Sequence, residues 1–145
     1  MDELKITAKI VLADMFAFYY KTHSFHWNVT GIDFIQLHGF FGDLYEEVHD
    51  AVDVIAEEIR AIDEFAPSSL QTILDLATIE QCGDEKMSSL LMINTLIADN
   101  DTLIQSLNKL FTTATAQNKQ GLADFAASRL DVHNKHRWML TALTK

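Results

Sequence analysis

Residues 23–59, HSFHWNVTGIDFIQLHGFFGDLYEEVHDAVDVIAEEI, decide the fold. From Phe34 the apolar positions Leu37, Phe41, Leu44, Val48, Ala51, Ile55, Ile59 and Ile62 step by three and four without a miss. That period wraps one stripe around a helix and leaves the opposite face polar, which is the seam of a helix bundle. The segment Asn28 to Gly31 breaks the chain just before it. Asp33 then offers an N-cap oxygen and Gln36 stands three residues on as in a capping box, so a long helix opens there and runs to about Glu64.

Working outward, residues 4–27 read as another helix, whose broad apolar face includes Leu4, Ile10, Val11, Met15, Phe16, Phe18 and Tyr19. Ala66-Pro67-Ser68 stops the second helix, and Ser68 or Ser69 can cap a short helix around Leu70 to Leu76. Gly83, Asp84 and Glu85 read as a stop followed by a new N-cap, opening a third long helix that reaches about Ala116. After a turn at Asn118 to Gly121, a fourth runs from about Leu122 to Leu143. Short turns inside each pair and one long crossover between pairs predict an all-α, ferritin-like four-helix bundle with a short helix in the crossover, rather than an up-down-up-down or two-crossover bundle.

Composition agrees. The 145 residues, 48% of them hydrophobic, suit a single domain spanning 1–145, and one proline with five glycines leaves little to interrupt long helices. The only thiol, Cys82, forms no intrachain disulfide, and the N-terminal residues lack the pattern of a secretory signal. With no apolar run long enough to cross a bilayer, the expectation is a soluble cytoplasmic protein. A formal net charge of -10 argues against general nucleic-acid affinity and makes multivalent cations the natural small partners.

Imidazole and carboxylate groups, the side chains that hold iron, gather where the first two helices meet. His26 ends helix one and His38 lies in the first turns of helix two, so an antiparallel fold-back turns both rings toward one space. Asp53 and Glu57, four apart, stack their carboxylates on one flank of helix two. Fifteen positions separate His38 from Asp53, roughly 22 Å along a helix rising ~1.5 Å per residue. Metal–ligand distances are near 2.0–2.2 Å, so the histidine pair can meet a carboxylate pair only on a second chain, and a two-fold axis would make two such sites. An intrachain di-iron site would need further glutamates, and none follows Glu85.

The same run resembles the ferroxidase segment of the Dps family, the DNA-protection-in-starvation mini-ferritins. The matching pieces are His26-Trp27-Asn28, Gly31, Phe34, Leu37-His38, Asp53 and Ile55-Ala56-Glu57, and LDVHNKHRWML resembles the family's last helix. The resemblance implies a dodecameric hollow shell that oxidises Fe(II) with hydrogen peroxide or oxygen and stores ferric mineral. By family pattern His26 and His38 of one subunit face Asp53 and Glu57 of its two-fold neighbour. Asp124 corresponds to an acidic residue near the start of the family's last helix and would line a three-fold pore.

One position departs from the family. Four residues after His38 the family carries Asp or Glu, and Gly42 stands here. Either a second iron binds poorly with water in the gap, or a nearby acid such as Asp43 or Glu46 stands in. A shell with impaired oxidation, acting in sequestration or DNA protection, is the competing function. DNA condensation is not expected, because Lys5 and Lys9 sit on helix one among the acids Asp2, Glu3 and Asp14 instead of on a basic tail. Trp27 and His49 are placed to support the ligands from behind, with plain packing the simpler role for Trp27. His23, His49, His133 and His136 are expected on solvated faces.

Overall fold

The computed structural model describes residues 2–145. Five helices make up its regular structure: α1 Glu3–Asn28, α2 Phe34–Ala61, α3 Leu70–Leu76, α4 Ser89–Ala116 and α5 Gln120–Ala142. The four long helices form a ring of packed pairs, α1 on α2, α2 on α5, α5 on α4 and α4 on α1, with the short α3 lying on α1. Each lays one apolar stripe inward, and Phe18, Phe41, Ile55, Ile59, Leu96, Leu103, Leu107 and Leu140 are completely enclosed between them. None of the helices is long and apolar enough to cross a membrane.

Local chemistry sets the helix ends. Asp2 caps α1 by accepting from the Leu4 amide at 3.0 Å, a contact worth about 1 kcal/mol. Asp33 occupies the N-cap position of α2 but makes no side-chain cap bond, so the expected capping box is absent. The turn between α1 and α2 relies on Gly31, whose φ of 118° is costly for a residue with a Cβ. Helix α2 ends earlier than expected, because Asp63 adopts φ 61° and breaks the helical path. Asn118, at φ 54°, closes α4 in the same way.

The start of α4 differs more. It opens at Ser89, not near Gly83, with the Ser88 hydroxyl accepting from the Leu91 amide at 3.1 Å. The inward stripe of α4 begins at Met92, so packing asks for no helix over 83–88. The crossover is instead pinned by side chains from α1. Asp14, fully buried, accepts from the Thr78 amide at 2.6 Å, the Thr78 hydroxyl at 2.7 Å, the Ile79 amide at 3.1 Å and the Ser106 hydroxyl at 2.6 Å. Lys21 reaches the Glu80 carbonyl at 2.5 Å and Asp99 at 2.6 Å. Four hydrogen bonds to one buried carboxylate satisfy it without a counter-charge.

Candidate metal centre

The short turn through Gly31 folds α2 back along α1 and brings His26, in the last turn of one, against His38, near the start of the other. Their rings stack with centroids 3.8 Å apart. Each ring also bonds the other residue's backbone: His26 Nδ1 lies 2.6 Å from the His38 carbonyl, and His38 Nδ1 lies 2.7 Å from the His26 carbonyl. A carbonyl can only accept, so both Nδ1 atoms carry the hydrogen. In the neutral rings Nε2 therefore keeps its lone pair, the tautomer a metal ligand needs. The crossed bonds also satisfy the His26 carbonyl, one of the groups the C-terminus of α1 leaves without a helical partner.

Gly42 gives the His26 ring close access to α2. A Cβ there would lie 3.1 Å from both Cε1 and Nδ1 of His26, tighter than ordinary contact. The ring thus rests against the bare backbone of α2. Phe34 covers the other side of His38, with its ring 5.1 Å away and nearly parallel.

Asp53 and Glu57 lie exposed on the same α2 that carries His38, and that helix is unbroken between them. About 22 Å of continuous helix therefore separates the imidazole pair from the carboxylate pair. A hydrogen bond with Asp53, and then the Asp53 charge, push the Glu57 carboxyl up from the usual range. No group of three His, Cys, Asp or Glu side chains able to hold a metal ion occurs within the chain among the described residues. The imidazole pair and the carboxylate pair do not meet in one subunit.

A family model described as a ferritin-like domain matches residues 9–145. A DNA protection during starvation protein of Brevibacillus brevis is 31% identical over 132 residues, covering 90% of this chain and 87% of that protein. An uncharacterised low temperature-induced protein of Nostoc is 31% identical over 130 residues, 89% of this chain and 73% of that one. The solved structure of Dps from Thermosynechococcus elongatus superposes with a TM-score of 0.95 at 25% identity, over 99% of this chain and 90% of that one. The chain belongs to the Dps family.

Around the histidine pair this Dps chain carries an aromatic cluster that the sequence reading passed over. His23 was expected on a solvated face, but its ring stacks on Tyr45 at 3.8 Å and lies 4.2 Å from Trp27. Tyr19 Oη and His23 Nδ1 are 3.0 Å apart. Burial, and then the neighbouring His26 and His49 rings, push the His23 imidazole below its usual range, against an upward pull from Glu46. Trp27 itself is 55% exposed, so it packs on one face and leaves the other open. His49 rests on the Tyr19 ring at 4.6 Å and remains largely exposed. The i, i+4 ladder Tyr19, His23, Trp27 was the signal available in the sequence.

His133 and His136 depart furthest from expectation, since both are buried against α2 and α4. The His133 Nδ1–H donates to Asn100 Oδ1 at 2.8 Å, and its Nε2 accepts from Arg129 Nη2 at 2.9 Å. Arg129 also forks onto Glu47, with Nη1 2.5 Å from Oε2 and Nη2 2.8 Å from Oε1. The His136 Nε2–H donates to Glu47 Oε1 at 2.8 Å. Burial would raise the Glu47 carboxyl, but the hydrogen bonds from His136 and Arg129 win and hold it at about 2. His133 is pushed far down, by burial first and then by Arg129 and His136.

Proposed function

We propose that the protein is an iron-storing mini-ferritin that binds Fe(II) between two copies of the chain. His26 and His38 of one subunit and Asp53 and Glu57 of its two-fold partner supply the ligands. The crossed Nδ1–carbonyl bonds carry the reading, because they leave the Nε2 lone pairs of two stacked rings with no protein partner. Two imidazoles and two carboxylates suit Fe(II), and the carboxylates neutralise its charge. Hydrogen peroxide is the proposed oxidant: each molecule takes one electron from each of two Fe(II) and two protons, and leaves as two waters. Ferric product then collects in a closed shell of twelve subunits, with exposed Asp124 of α5 lining an entry pore. The net charge of -10 favours cation traffic over DNA coating, in contrast to the role named for the Brevibacillus brevis relative.

Complementation tests the split site. A His26→Ala/His38→Ala chain and an Asp53→Asn/Glu57→Gln chain are each expected to be inactive in peroxide-driven Fe(II) oxidation. Co-assembled, each mixed two-fold pair regains one complete site, so random mixing restores about a quarter of native sites. No recovery in mixed shells, or a stable native monomer in light scattering, would exclude the shared site.

A second reading, a shell with weakened oxidation, is favoured by Gly42. No carboxylate can project from that position, and His26 fills the space where one would start. Counting Fe(II) per subunit under anaerobic conditions separates the readings: two tight irons support full ferroxidase function, and one supports the weakened form.

A further inference from the structure

Between α2 and α5 lie side chains of metal-binding type that the shared site does not use, although among the described residues they form, as they stand, no group able to hold a metal ion. Glu47 from α2 and His133 and His136 from α5 bring one carboxylate and two imidazoles together, a donor set that suits Fe(II), Co(II) and Zn(II). The His133 Nδ1–H is anchored on the Asn100 amide oxygen, which leaves Nε2 as an inward-facing acceptor in the manner of a metal-bound histidine. What that nitrogen faces is the Arg129 guanidinium, 2.9 Å away, whose other hydrogens saturate both oxygens of Glu47. Arg129 is only 6% exposed, and its Nε finds no partner. The 7% exposed His136 likewise leaves Nδ1 buried and unpaired.

We infer that Arg129 is a metal-excluding residue: its guanidinium sits between Glu47 and His133, two of the donors that a divalent transition-metal cation would need together with His136, and so keeps such a cation out of the space between α2 and α5. A guanidinium cannot be deprotonated in a protein, so acidity or metal competition does not remove it as it would a lysine or histidine proton. Its planar fork matches the carboxylate, and its single charge neutralises Glu47 without offering a coordination site. The surrounding groups restrict it further: Asn100 fixes the His133 ring through both its amide oxygen and its amide nitrogen, which donates to the His133 carbonyl at 2.9 Å. The Phe18 ring stands edge-on to His133 at 6.0 Å. With Arg129 in place, the guanidinium spaces Glu47 from His133 and the His136 Nε2–H is turned onto Glu47, so the three donors do not converge on a point.

The experiment uses assembled protein carrying His26→Ala and His38→Ala, so the shared site is already disabled and failure of the proposed function does not affect the result. Co(II) is titrated and its visible absorption read. The parent is expected to bind no Co(II) inside the bundle. Adding Arg129→Ala or Arg129→Met should create one site per subunit with a visible ligand-field band, whereas Arg129→Lys should create none. The new band should vanish when Glu47→Gln or His133→Gln is added. A merely structural arginine would lower stability in all three Arg129 variants without any Co(II) band. That outcome, a parent that already shows the band, or a band that survives loss of Glu47 and His133 overturns the inference. If the Ala and Met chains do not fold alone, they are refolded with and without Co(II): folding only with the metal supports the inference, and failure in both conditions overturns it.

Discussion

The chain contains two histidine pairs, and they differ in what faces Nε2. At the junction of α1 and α2, His26 and His38 give their Nδ1 hydrogens to each other's backbone and leave both Nε2 atoms without a protein partner. Between α2 and α5, Arg129 donates to Nε2 of His133 and Glu47 accepts from Nε2 of His136. The residue types are the same, but the first pair leaves both Nε2 atoms open and the second has both engaged, one by a cation and one by a carboxylate. A histidine's chemistry is therefore decided by the partner of its second nitrogen, more than by burial or by its place on a helix.

The strongest way to break the comparison is to remove the open pair. His26→Ala or His38→Ala should lower peroxide-driven Fe(II) oxidation by roughly a hundredfold or more, because loss of even a supporting group around a metal costs 10–100-fold. Folding should change little, since each substitution removes one hydrogen bond worth about 1 kcal/mol. Oxidation that survives at near-native rate would move the site elsewhere.

Damage to the closed pair should do the reverse. Glu47→Ala leaves the buried Arg129 charge uncompensated and should cost about 3 kcal/mol of stability, read by chemical denaturation. Iron oxidation per folded subunit should stay near native, because Glu47 touches neither His26 nor His38. A variant with unchanged stability would show that the network is not holding the bundle.

Acid sharpens the contrast. His133 is held far below its usual range, so below about pH 6.5 the unfolded chain takes up a proton that the folded chain refuses, and stability falls. Glu47 is held at about 2 in the folded chain against an ordinary value of 4.5. Its contribution is complete above that ordinary value and is lost as pH falls toward about 2. The groups facing His133 and Glu47 are Arg129 and His136, so His133→Gln should flatten the upper limb and Glu47→Gln the lower one. Denaturant midpoints measured from neutral pH downward check both, and an unchanged slope in either variant contradicts its assignment.

The two pairs also differ in how plainly the sequence shows them. The three-and-four stepping from Leu37 to Ile59 is uninterrupted, so α2 and the bundle were readable, and the short loop placed His26 beside His38. On α5 the same stepping runs Leu122, Ala126, Arg129, His133, His136, Leu140, and every one of these is buried. The polar members disguised the stripe: arginine and histidine suggest solvent unless their partners are known, and Glu47 and Asn100 lie on other helices, remote in sequence. The burial of Asp14 was hidden for the same reason, since Thr78, Ile79 and Ser106 satisfy it from the crossover and α4. The late start of α4 was hidden because Asp84 and Glu85 imitate a cap that Ser88 actually provides. Gly42 was visible as a departure, but its closeness to the His26 ring appears only once the helices are packed.

That closeness changes how the smallest effect is to be tested. Replacing an interior helical glycine by alanine favours the helix by up to about 1 kcal/mol, but the new Cβ would meet the His26 ring at 3.1 Å and part of the gain is lost moving it. Gly42→Ala should therefore change stability by less than about 1 kcal/mol while disturbing the imidazole that presents Nε2. Gly42→Asp carries the same Cβ and adds a carboxylate oxygen. Since both variants crowd His26 equally, their difference isolates the carboxylate. The aspartate chain is expected to exceed the alanine chain in anaerobic Fe(II) stoichiometry, by up to one iron per site, and to oxidise iron faster with peroxide. If alanine and aspartate bind equally, the missing oxygen does not limit the site, and Gly42 serves only to seat His26 against α2.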